Sequence, residues 1–290
     1  LKTESKGMLI GLVGIVIFGM TLPVTKVALG SFSPEFIAFG RGTLAGLAGL
    51  IYVILKKPEL PNRKQVIQIF VIVLGIVIAF PYLMTLAMTH GSSAHGGIIL
   101  GFMPILTTII AALRFQEKPS WGFWFASILG TVIVLLYAFI QGSGTLSRLD
   151  SLLILAALFS AMGYAEGADL SKGMSPKLVI SWAVIFALPL NVVISALAFK
   201  EQYLQASLPS MAALLFVGLM SMYVGFFFWY EGLAIGGIAR VSQVQLIQPF
   251  VTLLGSSILL GESLTLLNCV FTTLVVASIL LSKTMLVKRY

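Results

Sequence analysis

Charge is what this sequence has least of. Only 10% of its 290 residues are Asp, Glu, Lys or Arg, while 59% are hydrophobic and the mean hydropathy is +1.05. A soluble domain needs a charged exterior, so that class is excluded. There is one cysteine, Cys269, inside an apolar run, which excludes a disulfide framework and a thiolate metal site. Alternating segments of about ten residues are also missing, which argues against a membrane β-barrel.

What is present is a series of apolar runs of about 20 residues, the length that crosses about 30 Å of hydrocarbon as a helix. They are read as spans at 7–29, 34–55, 66–89, 92–114, 121–140, 151–170, 177–199, 209–231, 237–260 and 264–283. Ten spans use most of the chain and leave no room for a soluble domain. The first run is too long for a signal-peptide core and lacks a small-residue cleavage site, so it is expected to be retained. The chain starts at Leu1 rather than Met, which suggests a trimmed start. Its net charge of +8 does not point to nucleic acid, because the basic residues sit between the apolar runs. Around 56–64, 114–118, 172–177 and 283–289 they share one side with Lys2 and Lys6; Arg148 and Lys200 fall on the other. By the positive-inside rule both termini are cytoplasmic, and the expected location is the cell (inner) membrane. A Gly/Ser-rich stretch, Gln141–Ser147, reads as the linker between halves.

The halves repeat. A shift of 145 residues places Gly91 on Gly236, Ala94 on Ala239, Pro104 on Pro249, Thr107 on Thr252 and Glu117 on Glu262. Five spans per repeat is an odd number, so the second copy enters the membrane inverted. That is a transporter architecture, with the site near the midplane between repeats. Gln248-Pro249-Phe250, the run Leu260-Gly261-Glu262-Ser263-Leu264-Thr265 and its first-half counterpart from Pro104 to Glu117 carry a resemblance. The chain resembles the EamA type of the drug/metabolite transporter superfamily over essentially its whole length. Lys26 and Arg41 also resemble charged positions common in that family. The first half departs from the pattern at Phe115-Gln116-Glu117-Lys118-Pro119. The resemblance implies an all-α membrane fold of ten helices, with repeats at 7–140 and 148–284, and traffic in small metabolites, often export.

Ionisable residues inside spans each cost roughly 2.5–3.5 kcal/mol at a helix centre, so they mark candidate function. Arg41 lies two turns into the second span beside Ala38, Gly42, Ala45, Gly46 and Gly49, a small-residue face suited to close packing. It is expected to face protein or a cavity. Lys26 is one turn from the outer end of its span and is open to snorkelling. Glu166 and Asp169 share a face at i, i+3. Glu166 is a candidate for proton coupling, against a plainer reading as a cytoplasmic rim pair with Lys172. Glu231 and Arg240 flank a short inner loop and suit a gate or rim salt bridge. His95 is the repeat counterpart of Arg240, so the two suit matching rim roles at opposite faces. Its spacing from His90 does not favour a metal site. Glu117 and Glu262 end their spans and read as caps for neighbouring helices.

Ser242, Gln245, Pro249, Thr252 and Ser256 fall within an arc of roughly 80° on the ninth span, with Gln248 on its edge. This stripe is expected to line a cavity, with Pro249 and its counterpart Pro104 interrupting their helices near mid-membrane. Gly7, Gly11, Gly14, Thr21 and Thr25 form a stripe on the first span that reads as packing. Tyr82, Tyr164, Trp182 and Tyr223 lie deep enough to wall a cavity.

The expected substrate-binding set is therefore Arg41, Tyr82, Tyr164, Trp182, Tyr223, Gln245, Gln248 and Thr252. The cavity would draw on spans one, three, four, six, seven, eight and nine. The expected activity is secondary transport of small organic metabolites, amino acids foremost, by alternating access, without enzyme chemistry, cofactor, metal or nucleic acid. The partners are a small-molecule substrate and the lipid bilayer, and the oligomeric state is open. An organic amine or drug exchanger without proton coupling is the nearest rival, and an intramembrane enzyme the rival from another class.

Overall fold

The computed structural model describes residues 3–141, 148–285 and 287–288; the expected linker over 142–147 lies outside them. Eight helices are long and apolar enough to cross a membrane. Two shorter apolar ones, over Trp121–Tyr137 and Leu266–Ser282, complete ten among the described residues. They are α1 (Thr3–Gly19, continued by Thr21–Ala28), α2 (Pro34–Lys56), α3 (Arg63–Ile72, Val73–Ala79 and Phe80–Met88), α4 (Ser93–Ile99, Leu100–Phe102 and Met103–Arg114), α5 (Trp121–Gln141), α6 (Arg148–Leu170), α7 (Pro176–Leu197), α8 (Leu208–Leu215, Phe216–Val224 and Gly225–Gly236), α9 (Ile238–Ser242, Gln243–Ile247 and Gln248–Leu260) and α10 (Leu266–Thr284).

Local sequence explains where they start. Ser33 and Ser207 cap α2 and α8 by accepting backbone N–H groups, each before a proline in the first turn. Asn62 and Gln65 form a capping box at α3, and Thr265 caps α10. Each cap satisfies N–H groups that a helix start leaves unpaired. A single residue, Gly237, joins α8 to α9 at φ 93°, a conformation that only glycine adopts cheaply.

The ten helices form an inverted repeat. In this pattern α2 packs on α7, α4 on α9 and α5 on α10, each pairing with its own counterpart. α1 packs on α8, and the equivalent pair α6 and α3 packs likewise. Glycines set these distances. A methyl group added at Gly7 would sit 2.5 Å from the backbone of Gly236, and one at Gly75 would sit 2.3 Å from the carbonyl oxygen of Phe159. The glycine stripe of α1 is thus a packing face, as its small size requires.

Backbone irregularities recur at matched positions. α3 is π-helical over Val73–Ala79 and α8 over Phe216–Val224; the 145-residue shift carries the first onto the second. α4 and α9 are 3-10 over Leu100–Phe102 and Gln243–Ile247. Proline explains the latter pair. Pro104 and Pro249 have no N–H for the carbonyls of Leu100 and Gln245. The preceding residues, Met103 and Gln248, donate to those carbonyls instead, which tightens the turn to 3-10. The carbonyl that Pro249 leaves without its usual donor is therefore taken within the helix. Pro23 in α1 likewise has no N–H for the carbonyl of Gly19, and Thr252 of α9 donates its hydroxyl there at 2.8 Å.

Candidate functional site

Where the two π-helical turns face each other, α1, α2, α3, α6, α8 and α9 enclose a central cavity. α4 and α7 contribute no lining residue, unlike the expected set of helices, and α2 does. Its free volume is about 10 Å3, room for about one water. The repeats are closed upon one another here.

The wall has two characters. Phe18, Phe80, Tyr164 and Phe226 are aromatic, with Ile76 and Met222 beside them; Thr21, Arg41, Ser221 and Gln248 are polar. Phe18 and Phe226 lie 4.9 Å apart between ring centroids, and Tyr164 meets Trp229 edge-on at 5.5 Å.

Arg41 is 2% exposed. Its Nη2 donates to the hydroxyl of Ser221 at 3.0 Å, and that hydroxyl also bonds Thr21 at 2.7 Å. Nε and Nη1 of Arg41 are buried without a hydrogen-bond partner among the described residues. A buried guanidinium held by one neutral hydroxyl is expensive, because its charge is neither solvated nor paired.

Of the eight expected binding residues, Arg41, Tyr164 and Gln248 line this cavity. The other five lie elsewhere. Tyr82 packs on Phe39 at 5.7 Å, and Trp182 on Phe186 at 6.1 Å. Tyr223 bonds Ser181 at 2.7 Å and stacks edge-on to Phe227. Gln245 is buried with its amide unpaired among the described residues. The hydroxyls of the α9 stripe hold helices together. Ser242 lies within 3.3 Å of the Thr108 hydroxyl on α4, Ser256 bonds Ser93 of α4 at 2.7 Å, and Thr252 reaches α1. Pro249 faces an apolar crevice with Val134 and Phe271. A polar arc on a helix is satisfied as well by neighbouring helices as by a cavity, and periodicity does not separate the two. Sequence reasoning missed Phe18, Phe80, Ser221 and Phe226. A signal for Ser221 existed: it is the one serine or threonine in the apolar run from Phe216 to Val224.

Glu166 receives an ion pair from Arg114 and a hydrogen bond from Gln68 at 3.1 Å. Asp169 meets Lys172 at 3.1 Å. A cavity of about 360 Å3 opens beside the Arg114 pair, between α3, α4 and α6. The expected Glu231–Arg240 bridge does not form, since Glu231 is exposed and Arg240 pairs with Glu4 at 3.2 Å. His95 pairs with Asp150 at 2.7 Å. Lys26 donates to the carbonyls of Gly91 at 2.6 Å and Met88 at 3.1 Å, so it holds the end of α3 rather than snorkelling. Glu117 accepts the N–H groups of Ile238 and Ala239 at the start of α9, at 2.9 and 2.8 Å. Glu262 accepts the hydroxyl of Ser93 at the start of α4, at 3.1 Å. Each glutamate thus ends one helix of the α4–α9 pair and holds the start of the other.

The EamA-like transporter family model matches residues 5–139 and again 148–284. The chain belongs to the EamA-like transporter family. Among its relatives is the uncharacterized transporter YdeK of Bacillus subtilis (strain 168), 38% identical over 263 residues, which span 90% of this chain and 91% of that protein. The uncharacterized transporter YvbV of the same organism is 26% identical over 93% of this chain and 89% of its own length. A solved crystal structure superposes with a TM-score of 0.76 over 97% of this chain and 99% of its own, at 15% identity, which is a likeness of fold. Two family matches, one per half, agree with the repeat seen in the helix packing.

Proposed function

We propose that this EamA-family transporter is a secondary transporter that exports small carboxylate-bearing metabolites, amino acids foremost, by alternating access about the central cavity. The observation that carries this reading is Arg41. Its buried guanidinium lines the cavity with two nitrogens unpartnered among the described residues. A substrate carboxylate supplies the missing acceptors and charge. The aromatic side of the wall suits an apolar side chain, and Gln248 and Thr21 suit a polar head. A cationic amine meets the wrong sign of charge at this wall. One guanidinium is too little for a phosphate ester, which needs several charge-assisted donors. The closed cavity fits an intermediate between two open forms, with the π-helical and 3-10 turns of α3, α8, α4 and α9 as the places where helices flex. The Lys/Arg distribution supports cytoplasmic termini in the cell membrane.

The test is flux in sealed vesicles. Aromatic and large aliphatic amino acids are expected to compete with one another. Arg41→Gln removes a charge-assisted contact of about 1.5–3 kcal/mol, so carboxylate substrates lose roughly 10–150-fold in flux while their amides lose little. Strong transport of a phosphorylated sugar with no response to amino acids would overturn the reading. Proton movement alongside solute separates coupled transport from facilitated exchange.

A further inference from the structure

The two ion pairs at the helix starts stand in repeat-related positions. His95 lies at the start of α4 and Asp150 at the start of α6. The 145-residue shift carries His95 onto Arg240 at the start of α9. It carries Asp150 to within one residue of Glu4 at the start of α1, since Ser5 and Asp150 are counterparts. Because the repeat is inverted, Glu4–Arg240 lies at the face that carries the N-terminus and His95–Asp150 at the opposite face. Each ties the start of the first helix of one repeat to the start of the fourth helix of a repeat. α1 and α6 also carry Phe18 and Tyr164 into the cavity wall. Each pair therefore ties the end of a helix that walls the cavity, and at one face only.

The pairs differ in chemistry. Arg240 is always charged, and its Nη2 also donates to the carbonyl of Met285 at 2.5 Å. Imidazole changes charge around neutral pH, and His95 is 27% exposed while Asp150 is 4% exposed. Other titratable groups stand around the start of α4. Lys26 on α1 is held by the carbonyls of Met88 and Gly91 at the end of α3 and just beyond it, and Glu262 beyond α9 by Ser93. Tyr137 on α5 bonds Asn268, Tyr82 on α3 packs on Phe39, and His90 is exposed. Arg148 opens α6 two residues before Asp150.

We propose that His95–Asp150 and Glu4–Arg240 are the latches of the two gates, and that only the latch opposite the N-terminus responds to protons. A protonated His95 adds charge attraction to its hydrogen bond with Asp150, so acid on that side holds the gate shut; a neutral His95 lets it open. This rests on the alternating-access reading above.

The test reads gate opening directly and needs no substrate. The full chain carries Cys269→Ser and a single reporter, Met222→Cys, in the cavity wall, in vesicles sorted for orientation. A membrane-impermeant thiol reagent is applied at the face opposite the N-terminus. Asp150→Asn in the same background cancels the pH dependence of the thiol itself. Lowering the pH at that face from about 8 to about 6 is expected to slow labelling at least about threefold relative to the Asp150→Asn protein. Acid at the N-terminal face is expected to change nothing, until Arg240→His transfers the sensitivity to that face beside Glu4. If Asp150→Asn does not fold, His95→Gln takes its place. An equal pH response with and without the pair, or no side-specific response in Arg240→His, would overturn the proposal. Flux in the same vesicles tests the transport reading separately: labelling that follows the latch while no solute moves would sink that reading and keep the latch.

Discussion

Glu117 and Glu262 are repeat counterparts, yet their removal should cost very different amounts. Glu117 is 5% exposed and accepts two backbone N–H groups at the start of α9, from Ile238 and Ala239, both fully buried. In Glu117→Ala both donors lose their acceptor without gaining water. A buried donor left unpaired costs about 1–3 kcal/mol, so the pair costs about 2–6. A carboxylate at a helix N-terminus adds about 0.3–1 kcal/mol. Glu262 is half-buried and accepts one hydroxyl, that of Ser93, which also bonds Ser256. Its loss costs about 0.5–1.5 kcal/mol, the net worth of one ordinary hydrogen bond. The assay is the half-life of monodisperse protein in detergent at a fixed temperature, because membrane proteins of this size unfold irreversibly. The smallest difference between the two costs is about 0.8 kcal/mol, so Glu117→Ala should be inactivated at least about fourfold faster than Glu262→Ala. Glu117→Gln should fall between Glu117→Ala and the parent, since it keeps one acceptor. If Glu262→Ala is as damaging as Glu117→Ala, the hydrogen-bond accounting at the α4–α9 pair is wrong.

Two further outcomes follow from the backbone and the charge pattern. Gln116 stands at φ 55° where its counterpart Gly261 stands at φ 68°; a left-handed conformation costs a non-glycine residue about 1–2 kcal/mol, so Gln116→Gly should be neutral or lengthen the detergent half-life, and a clear shortening would refute the strain. On the orientation proposed above, with the N-terminus inside, a cysteine at Lys200 should react with an impermeant reagent on intact cells and one at Asn62 only after permeabilisation, since the two loops lie at opposite faces; the reverse pattern would invert that orientation.

The fold was legible because a bilayer makes strong demands on a sequence. Every backbone polar group must be paired within the span, so helices of a set length are the available answer, and the expected spans lie within a few residues of the helices. The largest difference is at α8, which continues to Gly236, five residues past its expected end. Gly232 and Gly236 pack there against the glycines of α1, a contact that no local signal announces. The repeat was legible even where its letters differ. Gln116-Glu117 departs from Gly261-Glu262, yet both helices end with the same bond, from Glu117 N–H to Ala111 and from Glu262 N–H to Ser256. The cavity was less legible. Tyr82, Trp182 and Tyr223 lie at suitable depth, but depth fixes one coordinate and rotation about the helix axis the other. The π-helical turns of α3 and α8 shift that rotation part-way along each helix, so a single 3.6-residue wheel misplaces residues beyond the turn.

The repeat also sorts structure from function. Features of the scaffold occur twice: the π-helical turns, the proline-tightened 3-10 turns and the left-handed residue before each glutamate. The polar side of the cavity occurs once. The counterparts of Thr21, Arg41, Ser221 and Gln248 are Glu166, Phe186, Ile76 and Met103. Phe186 packs between Trp182 and Phe70, and Ile76 faces the same cavity as Ser221 from the other repeat. A symmetric scaffold can present alike to both sides of the membrane, which alternating access requires. A solute with one polar head and one apolar tail has no such symmetry, and a site built twice over would bind neither end well. On the transport reading proposed above, the departures from the repeat are where selection for a substrate would leave its mark, and Arg41 in the place of Phe186 is the largest of them.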